Sequence, residues 1–337
     1  VLSDYVFGDK ERPTPLFSRI NRVLKTAVSF RRLLRENSYD ILFLNSAFDT
    51  KSVLRDCVSL FIMRPQPAKV FLKVHGSKAD EFVDRSGVWR VLVNYLSRRV
   101  DAFGLHTRDE LQSFLKLGFS LSQFYRVRNA ITISSEMPTG FVRAQKENGD
   151  SFELLFVSRF VPTKGLITTI KACALLHQKG VNIKLTCVGD GEVKAEAEAL
   201  ARDLGLSDLI RFTGYIAEVT KLLLSSDIFV FPTSHPEGFP VILFKAVATG
   251  MPIVTTTIRA AGEYLTEPDN CFFCTAEPRD VAEKVAMLIN DKMRREAMSK
   301  ANVAYGSTLL PDVIASDYLS MFRSMIDSTP SDHSFDG

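Results

Sequence analysis

Short apolar runs and longer amphipathic stretches alternate from one end of the chain to the other. Ile41-Leu-Phe-Leu44, Val70-Phe-Leu-Lys-Val74, Ala102-Phe-Gly-Leu105 and Phe124-Tyr-Arg-Val127 have the length and the branched or aromatic content of buried strands. Between them apolar positions recur with helical spacing, which predicts helices over residues 17–37, 50–63, 79–99 and 108–117. The pattern then restarts, with strands at Glu153-Leu-Leu-Phe-Val157, Lys184-Leu-Thr-Cys-Val188, Ile210-Arg-Phe212, Ile228-Phe-Val-Phe231 and Ile253-Val-Thr255. Helices are predicted over 165–178, 191–203, 216–225, 239–249, 278–290, 292–304 and 311–327. Such alternation predicts an α/β protein with a doubly wound parallel sheet in each half.

At 337 residues the chain exceeds one ordinary core, and Lys-Glu-Asn-Gly-Asp-Ser at 146–151 reads as a linker. The expected organisation is an N-terminal Rossmann-like domain over 1–149 and a C-terminal one over 150–310. A helix at 311–327 is expected to pack back on the first domain, followed by a polar tail at 328–337. Two such domains are expected to face each other across a cleft between the carboxyl ends of their strands, where doubly wound sheets bind ligands. Hydrophobic content of 46% with 24% charged residues fits a folded globular chain. No apolar run approaches the roughly 20 residues that a membrane-spanning helix needs.

The net charge of +3 hides an asymmetry: residues 1–150 hold 24 Lys and Arg against 16 Asp and Glu, and the remainder 18 against 23. The basic half is the one expected to meet an anionic surface. Residues 12–35 carry Arg12, Arg19, Arg22, Lys25, Arg31, Arg32 and Arg35 with no acidic residue, interleaved with Phe17, Ile20, Val23, Leu24, Val28, Leu33 and Leu34. This amphipathic pattern reads either as a solvated cationic face over a core-facing stripe or as a surface that docks on an anionic membrane. Trp89, Arg90, Arg98 and Arg99 on a second helix add to the docking reading. No nucleic-acid partner is expected. The expected location is the cytoplasm, with peripheral attachment to the cytoplasmic face of the membrane under the docking reading.

Five cysteines in an odd, scattered set point to a reducing compartment rather than a disulfide scaffold. Cys271-Phe-Phe-Cys274 has redox or metal spacing, yet without a second pair nearby it reads as two strand residues. No metal site is expected.

Three segments of the second half can meet a diphosphate, a group held by helix-start amides and one or two cations. In Val157-Ser-Arg-Phe-Val-Pro-Thr-Lys-Gly165, Arg159 and Lys164 follow a strand, where they either face a ligand or are merely solvated. In Phe231-Pro-Thr-Ser-His-Pro-Glu-Gly-Phe-Pro240, Glu237 stands at a helix entrance where it can accept from sugar hydroxyls, and the amides of Gly238 and Phe239 can point at phosphate. The alternative is a capping Glu with a Gly turn. Val188-Gly-Asp-Gly-Glu192 looks like a dinucleotide fingerprint, but Lys194 stands where the third glycine is needed, so it reads as a tight strand-to-helix turn. In the first half, His75 ends a strand in Val74-His-Gly-Ser77, either as a structural residue or as a ligand-facing imidazole. His106 ranks below it because Thr107-Arg-Asp109 resembles a helix cap.

In their order and separations these segments resemble glycosyltransferase family 4, the group 1 glycosyl transferases of GT-B fold. The likeness runs from Glu153 to about Ala304, including Phe212-Thr-Gly214, Gly250-Met-Pro-Ile-Val254 and Gly262-Glu263. It continues from Tyr39 to Ile131 through His75-Gly76 and Arg128-Asn129. The resemblance implies a retaining transferase that moves a sugar from a nucleotide-sugar donor to a polysaccharide or lipid-linked glycan acceptor, in assembly of the cell envelope. It implies that Arg159 and Lys164 bind the donor diphosphate, that Glu237 contacts the transferred sugar, and that Gly238, Phe239 and Pro240 bring backbone to sugar and phosphate. His75 would face the donor sugar from the other domain. The two cations and the helix end would take the electrostatic role of a metal.

Two departures qualify the resemblance. The family has a second glutamate eight positions after the first, on the ribose hydroxyls, and here Lys245 stands there. An ammonium can only donate, so Lys245 would reach phosphate or mark lost activity. The family's first strand and glycine-rich loop have no counterpart before Phe17, which predicts a first domain truncated at its start. Two rivals stay open: a non-catalytic sugar-nucleotide-binding relative and a sugar-nucleotide epimerase.

Overall fold

The computed structural model describes residues 15–63, 69–85, 87–133, 143–147, 149–236, 238–327 and 335. Arg12, Glu237 and, apart from Phe335, the tail at 328–337 lie outside the described residues. The chain divides into two α/β units: one up to Val127 together with the residues from Asp317 on, the other Arg128–Ser316.

In the first unit α1 (Leu16–Glu36), β1 (Ile41–Ser46), α2 (Thr50–Ile62), β2 (Lys69–Val74), α3 (Asp80–Val83), α4 (Val88–Arg99), β3 (Ala102–Leu105), α5 (Arg108–Lys116) and β4 (Phe124–Arg126) follow in order. The strands form an all-parallel sheet in the order β1-β2-β3-β4. Among the described strands this sheet advances in one direction without reversal. Every β2 residue after Lys69 is buried, as expected of a strand covered on both faces. One face packs Phe43 and Phe71, stacked at 5.4 Å, against Tyr318 and Phe322 of the last helix, Pro311–Asp327.

The helix expected over 79–99 is two helices. Gly87, at φ 64°, breaks it, and the Arg85 guanidinium lies 4.9 Å from the Phe82 ring and 5.3 Å from that of Trp89. Thr107 and Glu110 form a capping box at the start of α5. The buried Glu110 carboxylate also accepts from the amides of Ser77, at 3.2 Å, and His106, at 2.9 Å, which ties the ends of β2 and β3 together.

The second unit runs through β5 (Phe152–Val157), α6 (Leu166–Gln178), β6 (Ile183–Val188), α7 (Lys194–Asp203), β7 (Ile210–Gly214), α8 (Thr220–Ser225), β8 (Ile228–Phe231) and α9 (Val241–Ala248). It continues through β9 (Ile253–Thr255), α10 (Ala260–Tyr264), β10 (Phe272–Phe273), α11 (Pro278–Asn290) and α12 (Lys292–Ser307) into α13 (Pro311–Asp327). Its parallel sheet has the order β10-β9-β8-β5-β6-β7, so the winding reverses between β5 and β8. The carboxyl ends of strands at such a reversal are the place where doubly wound sheets hold ligands.

The units divide at Val127 and within α13, away from the segment at 146–151 that reads as a linker in the sequence. Its neighbours are fastened to the second unit by carbonyls left over at helix ends. Buried Arg143 donates to Ser226 O, to Leu223 O at 2.5 Å and to Thr249 O at 3.1 Å. Lys146 pairs with Asp227 at 2.7 Å, and fully buried Arg295 donates to Lys146 O, to Leu288 O at 2.5 Å and to Ile289 O at 2.7 Å. Cys271 and Cys274 flank β10 as free, buried thiols; burial pushes Cys274 up to about 12 and Cys271 in the same direction.

Candidate functional site

The loop after β5 and the loop after β8 meet at the reversal. Thr163 O accepts from the amides of Ser234 at 2.9 Å and His235 at 3.2 Å and from the Thr233 hydroxyl at 3.2 Å. Gly165, at φ 84°, lies so close that a Cβ there would stand 2.3 Å from Pro232 O. Any side chain at 165 would therefore part the two loops.

The turn after β6 braces the same place. Phe160 N donates to Asp190 O at 2.8 Å, Ser158 N to Val188 O at 3.1 Å and Val193 N to Phe160 O at 3.1 Å. A Cβ on Gly189, at φ 141°, would meet Ser158 O at 1.8 Å, and one on Gly191, at φ 151°, would meet Phe160 O at 2.4 Å. The two glycines thus let the turn lie against the backbone that carries Arg159, the structural part the sequence assigns to them.

Arg159 is exposed, whereas Lys164 is buried, at 4% exposure, in the short 3₁₀ turn that ends at Gly165. Burial first, and then the charge of Arg159, lower the Lys164 pKa to about 8. Two cations side by side, one of them partly stripped of water, suit an anion with more than one negative charge.

Opposite them Gly238, Phe239 and Pro240 are buried and lead into α9, with Pro240 at its N-cap. Phe239 stacks on Phe244 at 3.9 Å and meets Tyr264 edge-on at 5.6 Å, which fixes the approach to the first turn of α9. Lys245 lies half-buried on α9, and its charge helps lower the pKa of the exposed Glu218 carboxylate after two hydrogen bonds from Thr220. Glu218 carries no signal in the sequence that links it to Lys245, because the two are joined only by the fold.

The structure thus gathers Arg159, Lys164, Gly238, Phe239 and Pro240 at one end of the second sheet. His75 belongs to the first unit. It follows β2, is exposed on one side, and its Nε2 donates to Asn45 Oδ1 at 2.8 Å. The surrounding protein and the charge of Lys73 lower its pKa to about 4, so the ring is neutral at pH 7. His106 is buried beside it, ring centres 5.8 Å apart, with Nδ1 at 2.9 Å from Val127 O. Among the described residues no group of three or more His, Cys, Asp or Glu is placed to hold a metal ion.

The second unit is an α/β domain whose parallel sheet reverses at the place where the paired cations and the entrance to α9 lie, the position at which doubly wound sheets hold ligands. Residues 141–304 match the model of the family described as glycosyl transferases group 1. The chain is 33% identical over 110 residues to amylovoran biosynthesis glycosyltransferase AmsK of Erwinia amylovora, covering 31% of this chain and 27% of that protein. It is 28% identical over 151 residues to capsular polysaccharide biosynthesis glycosyltransferase CapM of Staphylococcus aureus, covering 44% of this chain and 40% of that protein. The chain therefore spans less than half the length of these curated relatives. Anabaena HepE, solved in complex with UDP-glucose, superposes with a TM-score of 0.72 at 20% identity over 92% of this chain and 84% of that one. A sucrose-phosphate synthase from Thermosynechococcus elongatus gives 0.73 at 14% identity over 95% and 82%. The fold is that of GT-B glycosyltransferases, with two parallel-sheet α/β domains.

Proposed function

We propose that the chain is a retaining glycosyltransferase that moves a sugar from a nucleotide-sugar donor to a polysaccharide or lipid-linked glycan acceptor. One observation carries this reading: buried Lys164 stands beside Arg159 on a loop stitched to the one that opens α9. In this proposal both cations take the charge that grows on the leaving diphosphate, and the backbone of Gly238 and Phe239 completes the cradle. Glu237 and His75 are assigned to the transferred sugar, and Lys245 to the donor. The curated relatives named for amylovoran and capsular polysaccharide biosynthesis support a polysaccharide acceptor, and the likeness to HepE supports a uridine diphosphate donor.

The experiment is a panel of radiolabelled nucleotide sugars, with the products separated. Free nucleoside diphosphate and a sugar joined to acceptor are expected. A sugar altered while still on its nucleotide would instead make the chain an epimerase.

The same proposal extends to an anionic membrane as the surface that presents a lipid-linked acceptor. Phe17, Ile20, Leu24 and Val28 form an exposed stripe on α1, flanked by exposed Lys25, Arg32 and Arg35. Co-sedimentation with phosphatidylglycerol vesicles but not phosphatidylcholine vesicles is expected, and its loss at high salt checks the charge contribution.

A further inference from the structure

Lys73 is a buried charged residue one position from the carboxyl end of β2. On β2 it is 8% exposed, and its register partners are Asn45 on β1 and Gly104 on β3. Register partners in a parallel sheet project to the same face, here the face on which Phe43 and Phe71 meet α13. The ammonium lies 5.1 Å from the centre of the Tyr318 ring, and among the described residues no carboxylate pairs with it. Burial alone lowers its pKa, to about 8. A buried ammonium without a counter-charge is costly, and strand interiors rarely keep one for packing.

Its neighbours are arranged to donate. His75 Nε2 engages Asn45 Oδ1, which leaves the Asn45 Nδ2 to donate to a ligand. The Arg55 guanidinium holds the backbone beneath by donating to Asn45 O at 2.9 Å, and it pairs at 2.7 Å with Asp56, whose other oxygen accepts from Ser46 Oγ at 2.6 Å. That network uses the Asp56 carboxylate internally, and the Asp49 carboxylate is engaged by the Ser52 amide at the start of α2. Asn45 and His75 are exposed, so the group that Lys73 lacks can reach it from solvent at the carboxyl end of the sheet.

We propose that Lys73 and Asn45, positioned by His75, form an oxyanion subsite in the first unit that takes the phosphate or carboxylate of an acidic glycosyl acceptor. That the anion belongs to an acceptor rests on the glycosyl-transfer reading; binding of the anion does not. The proposed donor site draws on other cations, Arg159 and Lys164 of the second unit.

The test is NMR of the full chain with isotope-labelled lysine and histidine side chains, titrated with inorganic phosphate, glucuronate and glucose. Saturable shifts of the Lys73 Nζ and His75 signals are expected with the anions and none with glucose. A response to phosphate alone assigns a phosphorylated acceptor, one to glucuronate alone an acidic sugar, and either supports the subsite. Lys73→Met is expected to weaken the anion response at His75 roughly tenfold or more while leaving binding of uridine diphosphate unchanged. A Lys73 signal indifferent to both anions in the unaltered chain would overturn the proposal, whether or not the variant folds. An intact Lys73 response without turnover of any nucleotide sugar would overturn the glycosyl-transfer reading and leave the subsite standing.

Discussion

Each sheet ends in a buried lysine whose pKa is lowered to about 8, and the two are held in different ways. Lys164 sits in a loop fixed by other loops: Thr163 O ties it to residues 233–235, and Gly189 and Gly191 let a third turn brace its base. Lys73 is fixed by the sheet, with strands on both sides and an aromatic ring under its ammonium. In the second unit the strand order reverses at β5 and β8, and the cation there sits on a loop that follows a strand. The described sheet of the first unit has no reversal, and its cation comes from within a strand. A charge reaches the carboxyl end of a parallel sheet by either route.

The largest expected effect sharpens the role of the loop-held lysine. Lys164→Met is expected to lower sugar transfer by about 10²–10³, as loss of one preorganised donor to a developing oxyanion does. Labelled-sugar transfer measures it, and undiminished transfer would remove Lys164 from the diphosphate site.

Gly189→Ala tests whether the loops are as tightly braced as the strands. With φ at 141° and Ser158 O in the way of a Cβ, the substitution is expected to cost about 2–4 kcal/mol of unfolding free energy. Urea unfolding reads the loss directly, and an unchanged midpoint would mean that the turn moves freely of Ser158.

Lys73→Met has the opposite sign. Removing a buried ammonium with no counter-charge is expected to raise stability at pH 7 by about 1–3 kcal/mol. Between its folded pKa of about 8 and the ordinary 10.5, the folded chain has released this proton while the unfolded chain still holds it. Stability of the unaltered protein therefore rises with pH through that window, and the variant shows a smaller rise. A destabilised Lys73→Met would show that the aliphatic stem and Tyr318 outweigh the charge.

The smallest effect is on donor affinity against pH. With Lys164 lowered to about 8, binding of uridine diphosphate is expected to be flat between about pH 7, where the terminal phosphate of the nucleotide is ionised, and that value, and to fall by up to about tenfold per unit above it. Calorimetry on Lys164→Met should show the slope gone, while Lys73→Met should keep it.

Much of the second unit was legible in the sequence because its strands are short apolar runs between turn residues. Ile228–Phe231 and Ile253–Thr255 fall where the pattern predicts them, and Arg159, Lys164 and the Gly238-Phe-Pro240 turn lie at strand ends that a reader of period and punctuation finds. α10 is not legible in the sequence, since five residues, Ala260–Tyr264, are too few to show a helical period. The long helix expected over 79–99 failed at Gly87, where local propensity gave way to a positive φ. Lys73 is visible in the sequence as a lysine inside Val70-Phe-Leu-Lys-Val74, but a strand pattern does not show what covers each face.

The sequence by itself determined the alternation of elements, the basic first half, and the place of Arg159, Lys164 and 238–240 after strands, since these follow from period, charge and side-chain chemistry along a short stretch. Only the tertiary structure decided which strands are neighbours, that Thr163 bonds residues 233–235, that Arg143 and Arg295 fasten 143–147 to the second unit, and that Lys73 is buried over Tyr318. Each of these joins positions tens to hundreds of residues apart. Such contacts depend on how whole elements pack against one another, and no local pattern carries that information.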